Sequence, residues 1–298
     1  MAKYRRTARL TAYVVGLAML TSCAAAPLKK PSEAAKVALV LGGGGARGFA
    51  HVGVIRELEK ERIPIDLIVG VSVGSLVGSL YADSGSSFDL EWKAFKIEKN
   101  DIFDLGIFNL RSGLAKGQRI RSYIDKNISA KRIEELKISV AIVAVDLKTG
   151  KRVVFTSGPI REAICASAAI PGVFEPVPYN GMFLVDGAVL GNLAPEVARD
   201  LGADVIIGVN IAKQRTRFDQ EPPGVLTTIL ESIGIMGDEL VRLNRDRFDV
   251  LIEPDVGSIG VMDFEHKREL MEAGMAGARQ AMPKIQELIA HRQAGGTQ

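Results

Sequence analysis

Ile65-Asp66-Leu67-Ile68-Val69-Gly70-Val71-Ser72-Val73-Gly74 is an apolar run that closes in G-x-S-x-G. Residues 65–71 read as a strand buried on both faces, because such strands are near-continuous in aliphatic and β-branched residues. A helix of small residues is expected to follow over 73–82. Strand, sharp turn and helix around this pentapeptide describe a nucleophile elbow. Gly70 and Gly74 let the turn close, and Ser72 stands at the top of a sheet as the candidate nucleophile. The dipole of the following helix and the Val73 N–H are placed to stabilise a developing oxyanion. The pentapeptide also arises by chance in a chain with 31 glycines. It is the flanking strand and helix that carry the reading.

Upstream, residues 37–41 (VALVL) form a second buried strand, followed by Gly42-Gly43-Gly44-Gly45-Ala46-Arg47-Gly48 and a helical pattern over 48–61. Consecutive glycines let backbone N–H groups point into a shared space, and with a helix N-terminus they make an anion hole. The loop contains G-x-G-x-x-G, so a dinucleotide fold has to be considered. That fold places an acidic residue at the end of its second strand. Here Asp66 stands at the strand's start, which counts against NAD or FAD. No Gly-Lys-Ser/Thr closes the loop, which counts against a P-loop.

Downstream, strands are expected at 138–145, 151–156, 182–185, 204–210 and 249–252, and helices at 117–127, 159–168, 192–200, 224–245 and 263–290. This alternation predicts a three-layer α/β/α domain with a mainly parallel sheet, whose ligands bind at the carboxyl ends of the strands. Asp186-Gly187-Ala188 ends the strand at 182–185. A carboxylate followed by glycine is a common turn, and also a candidate base for Ser72. The three histidines offer little competition. His51 lies in the helix behind the glycine loop, His266 between Glu265 and Lys267, and His291 in a polar tail. A Ser-Asp-His order would need His266 or His291. Asp186 acting directly on Ser72 is the more economical reading. An aspartate with an ordinary pKa of about 3.9 is a weak base, so burial, a short Ser–Asp hydrogen bond and a strong oxyanion hole must compensate.

Taken in order, the G-G-G-x-R-G at 43–48, the G-x-S-x-G at 70–74 and the D-G-A at 186–188 resemble the patatin-like phospholipase family in its bacterial branch. Arg111-Ser112-Gly113-Leu114, the stretch Ala166 to Phe174 and the stretch Gly202 to Asn210 match too. The resemblance is close over residues 36–215. It implies a patatin-like serine hydrolase with a Ser72–Asp186 dyad and no histidine. Backbone amides of Gly43, Gly44 and Gly45 would line the oxyanion hole. Arg47 would hold the loop, favour anionic lipid, or form a structural salt bridge. The implied chemistry is acyl transfer on a phospholipid, lysolipid or other acyl ester, with no metal and no cofactor. The intact motifs argue against the alternative, a lipid-binding or scaffolding lipoprotein on the same fold with little catalysis. The apolar stretch 101–115 would be a lid, an acyl-chain wall or ordinary core. Residues 211–223 would be a mobile loop near the site, and Cys165 a buried, inert thiol.

The first 35 residues read as an address. Residues 1–10 are basic, and residues 10–20 are apolar and uncharged. Eleven helical residues span about 16 Å, short of a hydrocarbon core of roughly 30 Å, so this is a signal-peptide core and not a membrane span. Leu20-Thr21-Ser22-Cys23 resembles a bacterial lipoprotein signal, with residues 1–22 removed and Cys23 lipidated. An ordinary cleavage region holding a cysteine is the plainer alternative. Residues 23–35 would be a lipidated tether and 36–298 the catalytic domain. Ala24 after the cysteine points, within that resemblance, to the outer membrane of the cell envelope.

Composition agrees with a folded domain: of 298 residues 47% are apolar and 24% charged. The net charge is +3, and it becomes −1 without Lys3, Arg5, Arg6 and Arg9. A near-neutral body gives no support for nucleic-acid binding. Two cysteines exclude a disulfide framework and a cysteine-based zinc site.

Overall fold

The computed structural model describes residues 35–103, 115–212 and 224–293. Among them eight strands form one sheet: β1 (Val37–Leu41), β2 (Leu67–Val71), β3 (Ser139–Asp146), β4 (Lys151–Phe155), β5 (Val177–Tyr179), β6 (Met182–Asp186), β7 (Val205–Val209) and β8 (Val250–Ile252). The helices are α1 (Phe49–Lys60), α2 (Val73–Ser84), α3 (Ser87–Lys96), α4 (Lys99–Ile102), α5 (Gln118–Asn127), α6 (Ile160–Ser167), α7 (Pro195–Asp200), α8 (Val225–Leu243) and α9 (Lys267–Gln293).

Strands β3-β2-β1-β7-β8 run parallel in that order. Side chains alternate across a strand, so β1 divides its residues between two cores. Val37, Leu39 and Leu41 pack in a large core with residues of α1, α2, α5, α6 and α9. Ala38 and Val40 pack in a smaller one with Ala194, Val197, Ala198 and Phe248. Both faces are therefore covered, which is the three-layer α/β/α arrangement.

The antiparallel strands decide where the site lies. β3 outruns β2: Val71 pairs with Val143, and Ala144 to Asp146 project beyond. β4 pairs with residues 142–146 along the opposite edge of β3. β6 pairs antiparallel with the overhang, Asp186 opposite Ala144. A strand has only two edges, so β6 shares the lane of β2. The two strands approach from opposite ends and stop head to head, with Ser72 and Asp186 at the junction.

Most expected elements are present with ends displaced by a few residues. β2 begins at Leu67 because the Asp66 carboxylate accepts the Val37 N–H at 2.7 Å and pins the start of β1 instead. Residues 45–48 form a 3-10 turn before α1. The expected helix at 192–200 starts only at Pro195, in the first-turn position that proline favours. α3, α4 and β5 were not expected from the sequence.

Candidate active site

The elbow folds as its glycines require. Ser72 has φ 54 and ψ −125, a backbone region that costs a non-glycine residue about 1–3 kcal/mol. The neighbourhood enforces it. The Ser72 N–H donates to Ser167 Oγ at 2.9 Å, and its carbonyl accepts from the Ser75 N–H at 2.9 Å and the Ser75 hydroxyl at 2.6 Å. Gly74 lies so close to β1 that a Cβ there would stand 2.2 Å from the Leu41 carbonyl oxygen.

Ser72 Oγ donates to Asp186 Oδ2 at 2.6 Å, across 114 positions of sequence. Ala188 N–H donates to Asp186 Oδ1 at 2.9 Å. Asp186 is 3% exposed, and burial pushes its pKa up to about 6 against the pull of those two hydrogen bonds. At pH 7 roughly nine-tenths of it is ionised. That makes it a stronger base than an ordinary aspartate, in contact with the hydroxyl it would deprotonate.

The glycine loop reaches the same point. Gly45, at φ 56, has no space for a side chain, because a Cβ would lie 2.2 Å from the Val261 carbonyl oxygen. Gly43 is clamped by Asn192, donating its N–H to the Asn192 carbonyl at 3.3 Å and accepting the Asn192 amide at 3.1 Å. Its N–H is thus engaged. Among the described residues, the N–H groups of Gly44, Gly45 and Val73 have no acceptor. Arg47 is buried and donates Nε–H to the Ile259 carbonyl at 2.7 Å, and burial lowers its pKa. It ties the loop to residues 259–261, while Gly48 packs on Val73.

No imidazole joins the pair. His51 is fully buried under the loop, its Nε2–H donating to the Gly42 carbonyl at 2.8 Å, and burial lowers its pKa to about 4. His266 is half-exposed and faces Asp263 and Glu269. His291 is exposed near the end of α9. Asn192 and Ser167, which hold the loop and the elbow, went unread in the sequence. As neutral polar residues they carry no charge or spacing signal.

Two pockets meet at Ser72. One, with an empty volume of ≈ 740 Å³ including its mouth, is walled by Phe49, Leu76, Leu80, Leu90, Phe103 and Phe174. The other, ≈ 960 Å³ on the same measure, adds Arg47, Asp186, Asn192, Glu231 and Asp238 to its lining. Ser72, Gly45, Phe103 and Ile170 border both. Of the apolar stretch 101–115, Ile102 and Phe103 line the first pocket, and residues 104–114 lie outside the described residues. Residues 1–34 and 213–223 lie outside them too, and with them Cys23, the tether and most of the expected loop. Cys165 is buried and free, its thiol pushed up to about 11 by burial. Among the described residues no group of three or more His, Cys, Asp or Glu is placed to hold a metal ion.

Residues 39–199 match the patatin-like phospholipase family. The chain belongs to that family. An uncharacterised NTE family protein of Mycobacterium tuberculosis is 35% identical over 180 residues, covering 60% of this chain and 50% of its own. A lysophospholipase of Aspergillus fumigatus is 27% identical over 277 residues, covering 84% of this chain and 18% of its own. The chain therefore spans half the length of the first and under a fifth of the second. The crystal structure of VipD from Legionella pneumophila superposes with a TM-score of 0.57 at 15% identity, over 88% of this chain and 75% of VipD, so the fold is shared.

Proposed function

We propose that the protein is a serine hydrolase of lipid acyl esters, of phospholipase A, lysophospholipase or esterase type, working through a Ser72–Asp186 dyad. The observation that carries this is the 2.6 Å contact between Ser72 Oγ and Asp186 Oδ2 at a strained elbow where two pockets join. Asp186 takes the hydroxyl proton as Ser72 attacks the ester carbonyl. The N–H groups of Gly44, Gly45 and Val73 are the donors available to the oxyanion. The apolar pocket suits the acyl chain and the mixed pocket the leaving alcohol. The proton held on Asp186 passes to that alcohol, and the acyl-enzyme forms. Water, deprotonated by Asp186, then releases the fatty acid. Family membership and the lysophospholipase relative support a lipid ester as substrate.

On the same footing we read residues 1–22 as a bacterial lipoprotein signal, Cys23 as the lipidated residue and the outer membrane as the location. Among the described residues no helix is long and apolar enough to cross a membrane.

Labelling of the full chain with a fluorophosphonate, beside hydrolysis of a panel of phospholipids, lysolipids and short-chain esters, tests the reaction. Ser72→Ala abolishes labelling and lowers turnover by about 10⁴-fold or more. A Ser72→Ala chain that keeps most of its activity overturns the assignment. An intact chain that binds lipid yet neither labels nor turns over is the scaffolding alternative.

A further inference from the structure

α3 has two apolar faces. Leu90 and Ala94 turn inward, where they line the apolar pocket beside Ser72. Phe88, Trp92 and Phe95 turn outward and are 75%, 57% and 42% exposed. Their i, i+4, i+7 spacing sets them on one stripe. Three neighbouring aromatic rings in water are a marker of an interaction surface.

The charges around the stripe identify the partner. Lys96 Nζ sits 4.3 Å from the centre of the Trp92 ring. A groove between α3 and α5 is lined by Lys93, Lys96, Arg119 and Lys126, with Asp101 the single carboxylate in its described lining. Of the other acids on these helices, Glu91 pairs with Arg56 at 2.9 Å and Asp125 with Arg161 at 2.9 Å. Asp89 is exposed at the start of α3. Among the described residues, Lys93, Lys96 and Lys126 have no carboxylate within salt-bridge distance. Outward aromatic rings flanked by lysines are the composition of a helix that lies in a membrane interface. A basic groove attracts anionic headgroups, and it repels a second copy of itself. α8 also exposes apolar residues, Val225, Met236 and Leu243, but its one basic residue, Arg242, is paired with Glu239 at 2.8 Å, and Glu231 and Asp238 line the pocket beside Arg47. That helix offers an anionic surface no unpaired cation.

We propose that the outer face of α3, with the basic groove beside it, docks the protein on an anionic phospholipid bilayer. The rings enter the headgroup region and the lysines meet phosphates. Because the inner face of α3 walls the apolar pocket, docking brings that pocket to the lipid. This last advantage rests on the proposed function, whereas the docking itself does not.

Trp92 is the one tryptophan in 298 residues, so its fluorescence reports on α3 alone. The full chain carrying Ser72→Ala is mixed with vesicles of phosphatidylglycerol and phosphatidylcholine, or of phosphatidylcholine only. If Ser72 is the nucleophile this background consumes no lipid, and if it is not, Trp92 emission read at the moment of mixing still reports docking, so the two readings fail separately. With phosphatidylglycerol, Trp92 emission shifts to the blue and is quenched by lipids brominated on the acyl chain. Phe88→Ser with Phe95→Ser weakens partition by about a hundredfold, roughly tenfold per ring, with an unchanged circular dichroism spectrum. Lys93→Glu, Lys96→Glu and Lys126→Glu together remove the preference for phosphatidylglycerol, and Met236→Ser on α8 changes partition by less than about twofold. Trp92 emission unaltered by phosphatidylglycerol vesicles overturns the proposal, even if the chain sediments with them. So does a dimer, seen by sedimentation without lipid, that Phe88→Ser with Phe95→Ser dissolves.

Discussion

Asp186 is 3% exposed, and burial holds its pKa near 6 against 3.8 for an ordinary aspartate. Between those values the folded protein holds a proton that the unfolded chain releases, so stability falls as pH rises through that window. At pH 7 the ionised carboxylate costs roughly 3 kcal/mol, from about two units at 1.36 kcal/mol each. Asp186→Asn removes that cost. Its expected effect is to lower turnover by about 10³- to 10⁴-fold while raising unfolding free energy by roughly 3 kcal/mol at pH 7 and by almost nothing at pH 4. Urea titrations at the two pH values check it. The same ionisation sets the activity profile: kcat/KM rises about tenfold per pH unit up to about pH 6, then levels off. Strain at Ser72 gives a second comparison. Ser72→Gly relieves the backbone at φ 54, so it should melt higher than Ser72→Ala by about 1 kcal/mol of stability. The meeting of Ser72 with Asp186 was legible because a strand-ending G-x-S-x-G and D-G-A have few uses together. The supports were not. Ser167 acts through one hydrogen bond to a distant backbone and Asn192 through two, which no local pattern announces.

Buried parallel strands announce themselves as apolar runs, and β1, β2 and β7 were legible for that reason. The direction of β6 was not, since it depends on the overhang that β3 leaves beyond β2. Nor was α3, whose outward face is aromatic and so hides the polar side that marks an amphipathic helix. Its one local sign was Ser86, which caps the helix by accepting the Asp89 N–H at 3.3 Å. Helix packing makes a separate demand. A Cβ on Gly274 of α9 would meet the Ala50 carbonyl oxygen of α1 at 2.0 Å, and one on Gly53 of α1 would meet the Met271 carbonyl oxygen at 2.0 Å. The two backbones touch, and either alanine forces them apart. Gly274→Ala or Gly53→Ala should each cost about 3 kcal/mol, read as a lower urea midpoint, and the pair should cost less than the sum because one separation relieves both clashes.

Across the whole molecule two buried titratable side chains, Asp186 at the elbow and His51 beneath the glycine loop, oppose each other. His51, with its pKa lowered to about 4, favours the folded state above the ordinary histidine value of 6.5, and that stability is lost as pH falls towards 4. Asp186 gains over much of the same interval. Wild-type stability should therefore change little from this pair between about pH 6 and pH 4, whereas Asp186→Asn leaves the loss at His51 uncompensated, roughly 3 kcal/mol. The meeting of β2 and β6 in one lane has a consequence for the order of synthesis. Ser72 is made early, but its hydrogen-bonded carboxylate arrives only with the last residue of β6, held by a ladder of three residue pairs on β3. On the proposed dyad, a chain truncated before β6 holds the serine without its base. On that same proposal, freeing the short ladder alone would part the two side chains while leaving the five parallel strands in register.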